Sequence, residues 1–107
     1  MGTVQLTVER NSREGPVIHL AGECDMASVD ALSAAGRDVI ATVSPGGRVT
    51  VEMHSLAFLD CSGLGTLVAM RNAATDQDVE LRLRAVPHHV NRILALTAMA
   101  DSFVIES

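Results

Sequence analysis

A chain of 107 residues, 48% of them hydrophobic, is long enough to bury one core and short enough to be one domain. Eight Lys and Arg stand against thirteen Asp and Glu, a net charge of −5, and the only aromatic residues are Phe58 and Phe103. That balance supplies neither the cationic groove nor the stacking rings of a nucleic-acid platform, and no apolar run approaches the roughly 20 residues of a membrane helix.

The first ten residues, Met1 to Arg10, lack a cationic start followed by an apolar stretch, so no signal peptide is expected. Val4, Leu6 and Val8 alternate with polar residues, and Asn11 to Pro16 reads as a polar turn, which predicts a hairpin of strands at 3–10 and 16–22. A helix is predicted over 27–43, with Val29, Leu32, Val39, Ile40 and Val43 on its inner face and Asp25 or Ser28 near its start. Ser44-Pro45-Gly46-Gly47 ends it. A strand at 48–53 follows, where Val49, Val51 and Met53 alternate with Thr50, Glu52 and His54. Then come a helix at 62–74, with Leu64, Leu67, Val68 and Arg71 at helical spacing, and a strand at 79–85. Arg82 and Arg84 on that strand read as its solvent-facing side. Pro87 suits the first turn of a last helix with Val90, Ile93, Leu94 and Leu96 on its apolar face, and 103–105 reads as a short final strand. Strands alternating with helices predict an α/β fold with a mostly parallel sheet and right-handed crossovers.

The most informative stretch is Leu59-Asp60-Cys61-Ser62-Gly63-Leu64-Gly65, where an extended segment gives way to a helix. Asp or Ser at such a turn caps the first free backbone N–H groups. The same N–H groups and the positive end of the helix dipole would accept a phosphate attached to Ser62. No Gly-Lys-Ser/Thr follows, so the turn is not a nucleotide phosphate loop, and Val68 stands where a dinucleotide fingerprint needs its third glycine. On these residues alone both a capping turn and a switch remain open.

The segment Val51 to Gly65 resembles the signature of STAS domains, in particular the bacterial anti-sigma factor antagonists, whose turn reads aspartate, two small hydroxyl residues, glycine, leucine. Leu20-Ala21-Gly22-Glu23-Cys24-Asp25 is similar to the family's glycine-glutamate-x-aspartate strand end, and Pro87 to Thr97 to its last core helix. The three matches fall in family order across almost the whole chain. The resemblance implies a single STAS domain over 1–107, with an antiparallel first strand beside parallel later ones and crossover helices. It implies that Ser62 is the phosphorylated residue, modified by an ATP-dependent anti-sigma factor kinase and restored by a serine phosphatase. It also implies that the unmodified form binds the anti-sigma factor and frees a sigma factor. Glu23, Asp25 and Met26, together with Asp60, Cys61, Gly63 and Leu64, are the expected partner surface, which Met70 and Arg71 extend along the helix. Neither a cofactor nor a metal is implied. Three departures from the family pattern stand out: Cys61 at the first hydroxyl position, Ala98 where a glycine is common, and the end of the chain at Ser107 where many members continue into another helix.

Two other functions compete. One is an accessory STAS subunit of a lipid-trafficking ABC transporter, which shares the turn. The other is an enzyme using Cys61 or Ser62 as nucleophile, for which His54, His88 and His89 are candidate bases by type but not by any motif. Adjacent His88 and His89 point in different directions on a helix, unlike a metal pair. Two cysteines without metal-ligand spacing fit a reducing, cytoplasmic setting, and although Cys24 and Cys61 both fall at predicted strand ends, a disulfide between them is not expected there.

Overall fold

Alternating Val4, Leu6 and Val8 can bury one face of a strand only against a partner, and the partner is the next strand in the chain. In the computed structural model, which describes residues 4–10 and 12–106, β1 (Val4–Glu9) pairs antiparallel with β2 (Val17–Cys24), from Val4 opposite Gly22 to Glu9 opposite Val17. Thr3 and Asn11, assigned to the first strand and its turn, lie outside the described residues, as do Met1, Gly2 and Ser107. From β2 onward the connections are helical and the pairing is parallel: α1 (Val29–Ala41) leads to β3 (Arg48–Leu59), α2 (Cys61–Asp76) to β4 (Glu80–Arg84), and α3 (His88–Leu96) to β5 (Val104–Glu106). A single turn of 3-10 helix precedes α1 (Met26–Ser28) and another precedes β5 (Ala100–Ser102).

The strand order is β1-β2-β3-β4-β5. Every crossover steps one strand in the same direction, so right-handed connections bring α1, α2 and α3 to one face of the sheet. Between the two layers lies a core that includes Ile18, Leu20, Leu32, Ile40, Val51, Met53, Leu67, Leu83, Val90 and Leu94. The opposite face carries His19, Glu52, Arg82 and Arg84, with Arg84 Nε 2.9 Å from Glu52 and Arg82 Nε 2.6 Å from Glu80. The predicted solvent side of β4 is that face, where Arg82 pairs with Glu80 of its own strand and with Glu106 of β5, and Arg84 with Glu52 of β3.

Helix and strand ends depart from the sequence reading in instructive ways. β3 is twice the predicted length and continues to Leu59. Its period of two breaks after Met53, with His54 and Ser55 both exposed and Ala57 and Phe58 both exposed. The extension stays in the sheet because its register with β2 shifts between His19 and Ala21 and again between Gly22 and Glu23, and Gly22 takes φ +85° to allow it. That shift brings Cys24 opposite Leu59, so β2 and β3 end side by side.

Candidate functional site

Because β2 and β3 end together, the two residues that follow them, Asp25 and Asp60, open neighbouring helical segments. Each acts as an N-cap. Asp25 Oδ1 accepts from the Ala27 N–H at 3.0 Å, while Ser28 Oγ receives the Asp25 N–H at 3.4 Å, a reciprocal box in which both residues expected near the helix start take part. Asp60 Oδ1 accepts from the Gly63 N–H at 3.0 Å, and the Asp60 N–H is tied to the Cys24 carbonyl oxygen at 3.1 Å. The capping role at this turn therefore belongs to Asp60. Ser62 is the second residue of α2, and among the described residues its hydroxyl forms no hydrogen bond.

This frees Ser62 from structural duty. It is half-buried at the start of the helix, where its own N–H and that of Cys61 precede the first intrahelical bond, from the Leu64 N–H to the Asp60 carbonyl oxygen at 2.9 Å. Cys61, the first residue of α2, is exposed; Cys24 is buried beneath the turn. Burial, then the charges of Asp60 and Asp25, push the Cys24 thiol from 9.0 up to about 11, so it is protonated at neutral pH. Both cysteines are free thiols. Gly63 is buried where a Cβ would sit 2.7 Å from the Cys24 carbonyl oxygen and 2.8 Å from its Sγ, which fixes how closely α2 can seat on the end of β2.

The structure brings Glu23, Asp25, Met26, Asp60, Cys61 and Ser62 to one end of the sheet. Glu23 and Cys61 are exposed, Asp25 and Asp60 half-buried, and Met26 is 77% exposed. Glu23, Asp25 and Asp60 form no ion pair among the described residues, whereas Glu9, Glu14, Glu52, Glu80 and Glu106 all do. Met70 corrects the sequence reading: it is 3% exposed and packs where Gly36 of α1 admits it, so it belongs to the core and not to a docking surface. Leu64 and Gly63 are buried as well, the first at the wall of a groove and the second against β2. Arg71 lies nine residues beyond Ser62, ~13 Å along the helix axis, with its Nη1 on Asn72 Oδ1 at 3.3 Å.

No histidine forms a hydrogen bond with Cys61 or Ser62 among the described residues. His89 Nε2 instead donates to the Leu56 carbonyl oxygen at 3.1 Å, and His54 and His88 are exposed. What the sequence reading missed is an apolar groove of about 340 Å³ beside the turn, formed by Cys61, Leu64, Gly65 and Val68 of α2 with Thr97 and Met99 after α3. The i, i+3, i+4, i+7 spacing of the first four was its legible sign.

A model of the STAS family described as "Mlab, STAS domain" matches residues 7–106. The chain belongs to the STAS domain family. Among solved structures, an anti-sigma factor antagonist from Mycobacterium paratuberculosis superposes with a TM-score of 0.82 at 24% identity, over 96% of this chain and 85% of that one. The anti-sigma factor antagonist SpoIIAA in its unphosphorylated form follows at 0.74 and 19% identity, covering 96% of this chain and 88% of that one. SpoIIAA of Bacillus in the phosphorylated form gives 0.73 at 19% identity, covering 96% and 92%. At these identities the likeness is one of fold: this STAS domain has the five-stranded mixed sheet and three helices expected for the family.

Proposed function

We propose that this STAS domain is an anti-sigma factor antagonist. Its unphosphorylated form binds an anti-sigma factor with serine kinase activity and frees a sigma factor, and phosphorylation of Ser62 ends the binding. One observation carries the reading: Ser62 stands at the second position of α2 with an unengaged hydroxyl, while Asp60 does the capping that a serine there would otherwise supply. The fold likeness to anti-sigma factor antagonists, one of them solved in phosphorylated and unphosphorylated forms, supports it. A serine phosphatase would reverse the modification, and the setting is cytoplasmic.

The switch is electrostatic. A phosphoserine adds roughly −1.5 to −2 charges at pH 7, beside Asp60 and at the same end of the sheet as Asp25 and Glu23, none of which has a cation of its own among the described residues. A partner covering the turn would have to desolvate that charge, so affinity falls. The helix itself tolerates it, since negative charge at a helix start is favourable. The test is to incubate the protein with anti-sigma factor kinases from the same organism and ATP, then map the modified site. Phosphate on Ser62, its loss in Ser62→Ala, and retained binding of Ser62→Ala to the kinase in ATP are the expected results. Phosphorylation of Ser62→Ala at the wild-type level, or equal affinity of modified and unmodified protein, would sink the reading.

A second reading is an accessory STAS subunit of a lipid-trafficking ABC transporter. Such subunits share the STAS fold, and the family model that matches here is one of the STAS domain. Binding to a transporter ATPase in preference to a kinase-like ATPase separates the two.

A further inference from the structure

The two edges of the sheet are built differently. β5 closes one edge with three residues, a short template for any further strand. β1 closes the other with six, Val4 to Glu9, and it contains no lysine, no proline and no break in its register with β2. Shortness, bulges, proline and lysine are the devices that keep a sheet edge from pairing with another chain, and β1 has none of the four. Its apolar side is also thinly covered. Each helix bridges two parallel strands, whereas β1 joins β2 by a hairpin, so no connection of its own brings a helix over it. Val4, Leu6 and Val8 pack against the core from that side yet stay half-buried, alternating with Gln5, Thr7 and Glu9, which are exposed.

We propose that β1 is a dimer interface, where a second copy of this chain adds its own β1 antiparallel and two five-stranded sheets become one. A two-fold axis perpendicular to the sheet at Thr7 keeps the helices of both copies on one side. Thr7 then stands opposite Thr7 of the second copy, a favourable cross-strand pair, and no like charges lie opposite each other. Leu6 meets Val8 of the second copy on the helix side, which removes apolar surface from water, and Gln5 meets Glu9 on the open side.

Charge selects this occupant. Arg10 is exposed and, among the described residues, has no carboxylate partner; Glu23 has no cation. In this register Arg10 comes opposite Val4 of the second copy, which is itself paired with Gly22, the neighbour of Glu23. β1 of one copy and β2 of the other lie two strand spacings apart, roughly 10 Å, a gap that the long side chains of arginine and glutamate together span. The axis makes this contact twice. The strands of the two copies run in opposite directions, so the Ser62 turns sit at opposite ends of the joined sheet and both stay open.

Sedimentation of the whole chain over a wide range of concentration tests this. A six-residue edge buries less than the ~800 Å² per partner of a standard interface, so a reversible monomer–dimer equilibrium with a midpoint in the micromolar range is expected. Thr7→Lys sets two ammonium groups face to face at the axis, and Arg10→Glu turns the charge contact into a repulsion. Each should weaken association roughly tenfold or more, with thermal midpoints of the dilute monomers equal to wild type. Register is read by cross-linking in a Cys61→Ser background. Thr7→Cys should form a disulfide dimer on mild oxidation, since directly opposed Cα atoms lie at disulfide distance. Gln5→Cys should not, because its two copies are offset by about 14 Å along the strands. A wild-type chain that stays monomeric throughout, or a dimer that both Thr7→Lys and Arg10→Glu leave unchanged, overturns the proposal. Equal cross-linking of Gln5→Cys and Thr7→Cys overturns the register, and with it the charge contact that selects a second copy. Monomeric wild type whose β1 instead takes up an extended peptide from another protein overturns the occupant.

Discussion

Ala98 holds φ +57° at the end of α3, a left-handed conformation that a Cβ disfavours. It does so because the helix closes with paired bonds, Met99 N–H to the Leu94 carbonyl oxygen at 2.9 Å and Ala98 N–H to the Ala95 carbonyl oxygen at 3.3 Å. Glycine is common at this place in the family, and alanine is the departure that the sequence flagged. Ala98→Gly should therefore stabilise the domain by about 0.5–1 kcal/mol, read from urea denaturation. Cys24 makes a second prediction at this scale. Its thiol is raised in the folded state, from 9.0 to about 11, so the unfolded chain loses the proton first as pH climbs. The sign follows: stability is unaffected below about pH 9, falls between pH 9 and 11, and levels off above, by an upper limit of about 3 kcal/mol. Cys24→Ala should flatten that part of the curve while lowering the whole of it through the lost packing. Urea midpoints at pH 8, 9.5 and 11 for both proteins decide; an equal slope in the variant would remove Cys24 as the source.

At the level of elements, the position of α2 rests on two close approaches. Gly36 of α1 would place a Cβ 2.8 Å from Met70 Cγ and Cε, and Gly63 would place one 2.7 Å from the Cys24 carbonyl oxygen. Methionine can adjust, whereas a backbone oxygen in a paired strand cannot. Both Gly36→Ala and Gly63→Ala should destabilise, by about 1–3 kcal/mol, with Gly63→Ala the worse. Denaturation midpoints check the order, and a milder Gly63→Ala would show that the turn shifts more freely than its contacts suggest. The apolar stripe of α2 was legible in the sequence: Leu64 and Leu67 are in the core and Val68 packs against it. What the period alone did not show is that Gly63, Met70 and Ala74 are buried with them. Met70, read as a surface residue, is in fact the side chain that fills the space over Gly36.

For the molecule as a whole, the proposed phosphate on Ser62 would change what the surface binds without changing the fold. Among the described residues Ser62 contributes no side-chain bond to the architecture, and the turn it stands in is held by Asp60, Gly63 and the Cys24 carbonyl. Circular dichroism of modified and unmodified protein should coincide, and the thermal midpoints should differ by less than about 3 °C, while calorimetry finds weaker binding to the kinase in the modified form. A large loss of helix on phosphorylation would mean that the switch works by unfolding α2. By itself the sequence determined the α/β class, the order of the elements and the strand-to-helix turn at Asp60, because hydrophobic period and turn chemistry are local properties of the chain. It also determined that Glu23 to Met26 and Asp60 to Leu64 belong together, through the motif they match. Only the tertiary structure decided that β3 runs on to Leu59, since its later residues are exposed in pairs and only the shifted pairing with β2 marks them as strand. The same is true of Asp60 taking the capping bond and leaving Ser62 unengaged, of Met70 lying in the core, and of Thr97 and Met99 closing a groove against Gly65. Each depends on which groups meet across distant parts of the chain, and burial and hydrogen bonding between separate elements are not written in the period of either one.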